Sequence, residues 1–317
     1  MNEHLKENID EFLITLALKS RSDTTIKTYK RILNDYFEYC QKNNLAQQDR
    51  LTILGYKRYL ESKPNKPAIS TLKIIFSCLR SFYSEMELQG RAVDIARLVK
   101  IKGIQNTFVK SALTYEQAQA LSKKATFRAK QRYHTIVDVR NDAIIWLMLT
   151  AGLRCIEVAR ANKDDIQILS EEKGIYRLWV QGKGHTTKDQ FVMLEPHTYE
   201  KIQFYLSQRT DDIPALFVSH PHRSLVKTNR LESREISMMV KDMLRSIGID
   251  DPKITAHSLR HTCAMLAFDK LGMTTDQVQQ TLRHSDPKVT NIYTEQGTRI
   301  NKGVETQLGD LLGQKRK

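Results

Sequence analysis

Ile175-Tyr-Arg-Leu-Trp-Val180 and Gln190-Phe-Val-Met-Leu194 decide the fold class. Both runs are short and rich in β-branched and aromatic residues, so they read as two strands. Gln181–Asp189 joins them and carries Gly182-Lys183-Gly184. Helical period rules on either side of this hairpin. Upstream, Arg140–Thr150 is a strongly apolar helix ending before Gly152, and a shorter helix runs from Glu157 to Ile166. Downstream, helical patterns cover Thr198–Gln208, Glu232–Ser246, Ser258–Leu271, Thr275–Leu282 and Pro287–Tyr293. The expected class is mainly α with one small antiparallel sheet.

The first hundred residues are helical throughout. Phe12, Leu13, Leu16 and Ala17 make an apolar stripe over Asp10–Leu18. Ser22 or Asp23 caps a second helix, Thr24–Lys42. A third spans Gln48–Lys63, and Pro64 and Pro67 mark the loop after it. The fourth, Ser70–Gln89, buries Leu72, Ile75, Phe76, Leu79 and Phe82 and turns Lys73, Ser77, Arg80 and Ser81 the other way. Four amphipathic helices with short loops predict a small bundle. Leu98–Lys110 is basic and lacks helical period, which reads as a linker. Thr114 and Gln117 then form a capping-box start. The expected division is a helical bundle over 1–100, a linker over 101–111 and a second, mostly helical domain over 112–317.

The 317 residues, 40% hydrophobic, suffice for two ordinary domains. No apolar run of about 18 residues exists, so a membrane span is not expected. MNEHLKENIDEF lacks the apolar core of a secretory signal, which places the protein in the cytoplasm. The four cysteines form no CxxC pair. Formal charge is +14, and residues 1–110 hold half of that excess, with 19 basic against 12 acidic residues. Both parts therefore suit a polyanionic partner, nucleic acid above all.

Neither an HExxH zinc pattern nor a Walker A loop occurs, and His220-Pro-His222 sits in a Pro-bearing loop, so no metal site is expected. The remaining chemistry-bearing residues are ordinary one at a time. Arg154 follows a Gly turn, as a helix cap does, and Lys183 tops a hairpin, as a solvated lysine does. His257-Ser-Leu-Arg260 is the spacing of a surface pair, and Tyr293 suits a core aromatic. His284-Ser-Asp-Pro lies between them. Their order along the chain is the specific feature: Arg, hairpin Lys, HxxR, His, Tyr.

Four stretches in that order, TAGLRCIEVARANKDDI (150–166), VQGKGHTTKDQ (180–190), HSLRHTCA (257–264) and LRHSDPKVTNIYTE (282–295), resemble the motifs of the tyrosine recombinases, the phage-type integrase family. The similarity runs over nearly the whole chain. It implies a catalytic set of Arg154, Lys183, His257, Arg260, His284 and the nucleophile Tyr293. Glu157 would orient or neutralise its neighbours, though a surface carboxylate fits the sequence as well. The resemblance makes the first domain a SAM-like core-binding domain. Thr25 and Lys27, within Ser22–Tyr29, would then meet DNA, as would Ser70, Lys73, Ser77 and Arg80 on the fourth helix. Three departures stand out. Arg283 replaces the usual Gly before the second His, Lys188 is a second hairpin lysine, and Leu169–Gly174 lengthens the approach to the hairpin. The chain begins at the core-binding bundle, which argues against a further arm-binding domain.

The implied reaction is transesterification at a DNA phosphodiester. A free tyrosine has a pKa of about 10 and needs a proton acceptor or a positive field. Two arginine forks would hold the non-bridging oxygens and favour the extra charge of the transition state. His284 would donate to one of those oxygens, His257 would take the tyrosine proton or hold the phosphate, with the resemblance favouring the proton role, and Lys183 would protonate the leaving 5′-oxygen. No cofactor, metal or ATP enters this scheme. The implied partners are double-stranded DNA with inverted-repeat core sites and three further copies of the chain in a tetramer. Val304, Leu308, Leu311 and Leu312 make the tail that would couple the copies. An accessory or directionality factor is compatible, and the expected site of action is the bacterial nucleoid, with the protein encoded by a chromosome, a phage or a mobile element. The rivals are a type IB topoisomerase or telomere resolvase, a non-catalytic DNA-binding regulator, and a metal-dependent nuclease.

Overall fold

The computed structural model describes residues 3–45, 48–97, 99–101, 112–182, 187–221 and 228–283. The chain divides into two compact units, Met1–Phe108 and Val109–Lys317.

The first unit holds four helices among its described residues: α1 Glu3–Leu18, α2 Asp23–Lys42, α3 Arg50–Ser62 and α4 Ile69–Leu88. Helix α1 starts earlier than its apolar stripe, because Leu5 and Ile9 extend the buried face by two turns. The Ser22 hydroxyl accepts the Thr25 amide and starts α2. Asp49 and Thr52 close a reciprocal capping box on α3. Leu72, Ile75, Phe76, Leu79 and Phe82 line the buried side of α4. The core is unusually tyrosine-rich. Tyr36, Tyr56 and Tyr83 are buried, and Tyr36 and Tyr83 satisfy each other's hydroxyls at 2.9 Å. Tyr39 and Tyr59 stack around Tyr56 at the edge of the cluster.

The second unit is built on α6, Ile136–Ala151, with α5 Tyr115–Ala129 against it. Thr135 and Asp138 form a capping box, which is why α6 begins a turn before the apolar run at Arg140. Val139, Ala143, Ile144, Ile145, Leu147 and Met148 bury nearly every face of it. Helices α7 Cys155–Arg160, α8 Pro196–Ser207, α9 Ser233–Arg245, α10 Ala256–Asp269 and α11 Thr275–Leu282 complete the layer. The Pro287–Tyr293 helix expected from sequence lies outside the described residues.

The sheet has three strands, one more than the sequence reading gives. They are β1 Ile166–Ser170, β2 Ile175–Val180 and β3 Gln190–Leu194, antiparallel in that order. The helix expected from Glu157 to Ile166 therefore stops short at Arg160. Asn162 donates its amide to the Asp165 carboxylate at 2.6 Å, and this closes a 3-10 turn over Lys163–Asp165 that redirects the chain into β1. As an edge strand, β1 leaves Ile168 and Leu169 exposed, so it shows no alternation. Tyr176, Leu178 and Val180 of β2 point into the core with Val192 and Leu194 of β3. On the outer face the Arg177 guanidinium lies over Trp179, 4.6 Å from its centroid, and Phe191 packs edge-on to Trp179. Among the described residues no helix is long and apolar enough to cross a membrane.

One buried polar knot ties α5, α6 and α8. Lys201 Nζ donates to Asp142 at 2.6 Å and to Thr126 at 3.0 Å, and it sits over the Trp146 ring at 5.2 Å. Removing one partner strands the other charge in the core. Asp142→Ala is expected to lose about 3–5 kcal/mol. A Lys201→Met, Asp142→Leu pair is expected to recover most of that loss in urea unfolding.

Candidate active site

Helix α6 ends at Gly152, whose φ of +60° is left-handed. A Cβ there would come within 2.5 Å of Leu282 Cδ2 and 3.3 Å of Cys263 Sγ. Glycine is thus required twice, for its conformation and for the close approach of α11. The tight turn delivers Arg154 to the N-cap of α7.

Glu157, fully buried one turn into α7, is the hub. Its Oε1 accepts from Arg154 Nη1 at 2.7 Å, and its Oε2 accepts from the Arg154 backbone N–H at 2.8 Å. Arg283 Nη2 donates to the same Oε2 at 3.0 Å. Arg260 Nη1 stands 3.8 Å from it. A surface carboxylate, one of the two sequence readings of Glu157, does not describe this residue. Arg154 keeps 27% of its side chain exposed, whereas Arg260 shows 1%. Arg260 donates Nη1 to the Gly152 carbonyl at 2.6 Å and Nη2 to the Leu282 carbonyl. One guanidinium therefore clasps the end of α6 to the end of α11.

Three guanidiniums share one carboxylate, so the cluster keeps an excess of positive charge. Burial alone would raise the Glu157 carboxyl. Arg283, the Arg154 amide, Arg260 and Arg154 together hold it below its ordinary value instead. Burial and the neighbouring Arg154 push the Arg260 guanidinium down to about 9, still charged at neutral pH. Such a group of fixed, partly desolvated cations is suited to an anion with several oxygens.

His257 lies exposed in the first turn of α10, one turn ahead of Arg260, and its ring meets His261 edge-on at 4.4 Å. The spacing of these two histidines, HxxxH on a helix, is one that zinc sites use and one that the sequence reading overlooked. Among the described residues, however, no group of three or more His, Cys, Asp or Glu is placed to hold a metal. His220 accepts or donates at 2.9 Å to the Tyr205 hydroxyl, and burial and Arg140 push it down to about 4, so it is neutral at pH 7. An open cleft of about 950 Å³ runs between β3 and α11, with Thr150, Phe191, Met193, Gln280 and Arg283 on its walls.

The structure thus brings Arg154 and Glu157, from the first turn of α7, together with Arg260 from α10. Lys183, His284 and Tyr293 lie outside the described residues. Lys188, the second hairpin lysine, is committed elsewhere: its Nζ pairs with Asp165 at 2.5 Å. The sequence reading noted Arg283 only as a departure and did not place it in this cluster. Its signal was a long cationic side chain at a position where a glycine was expected.

On the first unit, Lys27 is exposed and Thr25 is half-buried, with its hydroxyl 2.9 Å from that of Ser22. Ser70, Lys73 and Ser77 are exposed on α4. Arg80 differs from them, because its Nη1 donates to the Val99 carbonyl at 3.0 Å.

Residues 112–299 match the Phage integrase family, and residues 9–90 match the Phage integrase, N-terminal SAM-like domain. The chain belongs to the phage integrase family. This integrase-family chain is 28% identical over 288 residues to tyrosine recombinase XerA of Pyrococcus furiosus, covering 91% of itself and 89% of that protein. Its fold is similar to that of XerH site-specific recombinase bound to a palindromic difH substrate in a post-cleavage complex. There the TM-score is 0.69 at 21% identity, over 90% of this chain and 78% of that one. A lambda integrase tetramer bound to a Holliday junction gives a TM-score of 0.62 at 15% identity, over 89% and 78% of the two chains.

Two outcomes are expected for this integrase-family site. Gly152→Ala should lose about 1–3 kcal/mol from strain at a left-handed position, read as a lowered Tm. Glu157 has a depressed folded pKa, so its contribution to stability is complete above about pH 4.3 and disappears as pH falls through the folded value. Glu157→Gln should therefore be less stable at pH 7 and lose less stability between about pH 5 and 2, measured by urea midpoints across that range.

Proposed function

We propose that the protein is a site-specific DNA recombinase that breaks and rejoins strands through a 3′-phosphotyrosine link. The observation that carries this reading is the convergence of Arg154 and Arg260 on the buried Glu157, at the end of α11 from which the chain proceeds to His284 and Tyr293. Arg154, 27% exposed, suits the non-bridging oxygens of a phosphate, and Arg260, buried on two helix-end carbonyls, adds fixed positive charge behind it.

Tyr293 Oη attacks phosphorus and the P–O5′ bond breaks, leaving the phosphate on the enzyme and a free 5′-hydroxyl. His257, exposed at the start of α10, takes the tyrosine proton. Lys183 gives a proton to the leaving oxygen, and His284 donates to a non-bridging oxygen. The pairing of Lys188 with Asp165 supports Lys183 as the hairpin acid. Bond energy stays in the covalent link, so rejoining needs no ATP.

In this reading the first unit is the core-binding domain and the second the catalytic domain. DNA contacts come from Lys27, Thr25 and the exposed α4 residues Ser70, Lys73 and Ser77, with a lesser share from Arg80. The substrate is duplex DNA with inverted-repeat core sites. The lambda integrase tetramer on a Holliday junction supports a tetrameric assembly on two duplexes, coupled through the C-terminal tail. The site of action is the cytoplasmic nucleoid, on chromosomal or mobile-element DNA.

The test is covalent trapping in EDTA without ATP. Duplexes selected by binding to the full chain are nicked beside the scissile phosphate, so that a short fragment diffuses away. A protein–DNA adduct on a denaturing gel, mapped to Tyr293 and absent in Tyr293→Phe, is the expected result. Arg154→Lys and Arg260→Lys should lower the cleavage rate by about 100-fold or more, since a point charge does not replace a fork. Cleavage that leaves no adduct and requires added magnesium would falsify the reading.

A further inference from the structure

Arg283 holds a backbone conformation that suits glycine. It caps the C-terminus of α11 with φ +54° and ψ +47°, in the left-handed region. A side chain with a Cβ is strained there, and strain of this kind persists where surrounding interactions over-determine it. Those interactions are visible. The Arg283 side chain is 6% exposed, reaches Glu157 Oε2 at 3.0 Å, and donates Nη1 to the Thr281 carbonyl at 3.0 Å. Its Nε is buried and makes no hydrogen bond among the described residues.

Position matters as much as partner. Glu157 belongs to α7 and Arg283 to the end of α11, and the next residue in the chain is His284. The Arg283–Glu157 pair, with the Arg260 bond to the Leu282 carbonyl, pins that end of α11 to the turn carrying Arg154.

We propose that Arg283 is a positioning residue of the strand-transfer site, a third guanidinium that fixes the Glu157 carboxylate and the chain entering His284 relative to Arg154 and Arg260. The inference rests on the strand-transfer reading above. A glycine at this position leaves Arg260 as the one cationic tie on the end of α11, besides the packing of Leu282. Here the chain trades an unstrained backbone for a second tie and for added positive charge beside the phosphate site.

Because glycine favours φ > 0, Arg283→Gly removes the guanidinium without adding backbone strain, while Arg283→Lys keeps the strained backbone and a charge but loses the fork. The experiment compares the full-length wild type, Arg283→Gly, Arg283→Lys, Glu157→Gln and the Glu157→Gln, Arg283→Gly double variant on the nicked, selected duplex. Adduct rate, duplex affinity and Tm are read for each. Arg283→Gly should form adduct about tenfold or more slowly, with affinity and Tm close to wild type, and Arg283→Lys should lie between. In the Glu157→Gln background the glycine substitution should add little, because the partner is already altered. Wild-type adduct rates in Arg283→Gly overturn the inference. So does a loss that is fully additive with Glu157→Gln, or one that Arg283→Lys shares in step with a falling Tm. A wild-type chain that forms no adduct overturns the underlying reading, and the inference with it. A wild type that forms adduct confines any failure to Arg283.

Discussion

A carboxylate with no exposed surface survives in a protein interior only when cations and donors replace the water it has lost. Glu157 meets that condition with the guanidiniums of Arg154, Arg260 and Arg283, which come from three separate elements, and the Arg154 backbone amide. The dependence is mutual. Without the carboxylate, Arg154, Arg260 and Arg283 would repel one another in a partly desolvated space. The local fold of the second unit follows from this requirement: a glycine turn brings in Arg154, α10 brings in Arg260, and α11 ends where Arg283 can reach.

In the proposed reading, the same cluster gives a mainly helical unit its phosphate-binding charge through side chains. Its charge comes from side chains held by carbonyls at helix ends. Arg260 has its Nη atoms on the Gly152 and Leu282 carbonyls, so its orientation is set by the ends of α6 and α11 rather than by its own rotamer preferences. Preorganisation of this kind is what lets fixed dipoles and charges favour a transition state over a solvated ground state.

Much of this was legible in the amino-acid sequence, for local reasons. The Thr114–Gln117 capping box, the Ser22 cap and the bounds of Thr275–Leu282 are written in residues within one turn of each boundary. The strands β2 and β3 show in their β-branched and aromatic residues because their inner faces are buried. Strand β1 was missed because an edge strand with an exposed Ile168 and Leu169 has no alternation to read. The early start of α6 was missed because the Thr135–Asp138 cap precedes the apolar run that gave the helix away. In the site, the residue types and their order pointed to Arg154 and Arg260 through the family resemblance. What sequence could not supply was the burial of Glu157 and the direction of Arg283, since both depend on where α11 ends relative to α7.

The aromatic residues are divided between the two units in a way that has an optical consequence. The chain has two tryptophans, Trp146 and Trp179, and both lie in the second unit. The first unit has its tyrosine cluster of Tyr36, Tyr39, Tyr56, Tyr59 and Tyr83 instead. Trp146 is half-buried on α6, with the Lys201 ammonium over its ring and His197 edge-on to it, while Trp179 lies on the outer face of the sheet under Arg177. Indole emission excited at the red edge, where phenols do not absorb, is therefore blind to the helical bundle. It reports from two sites of the second unit alone, whereas phenol emission mixes the two units, with six tyrosines in each.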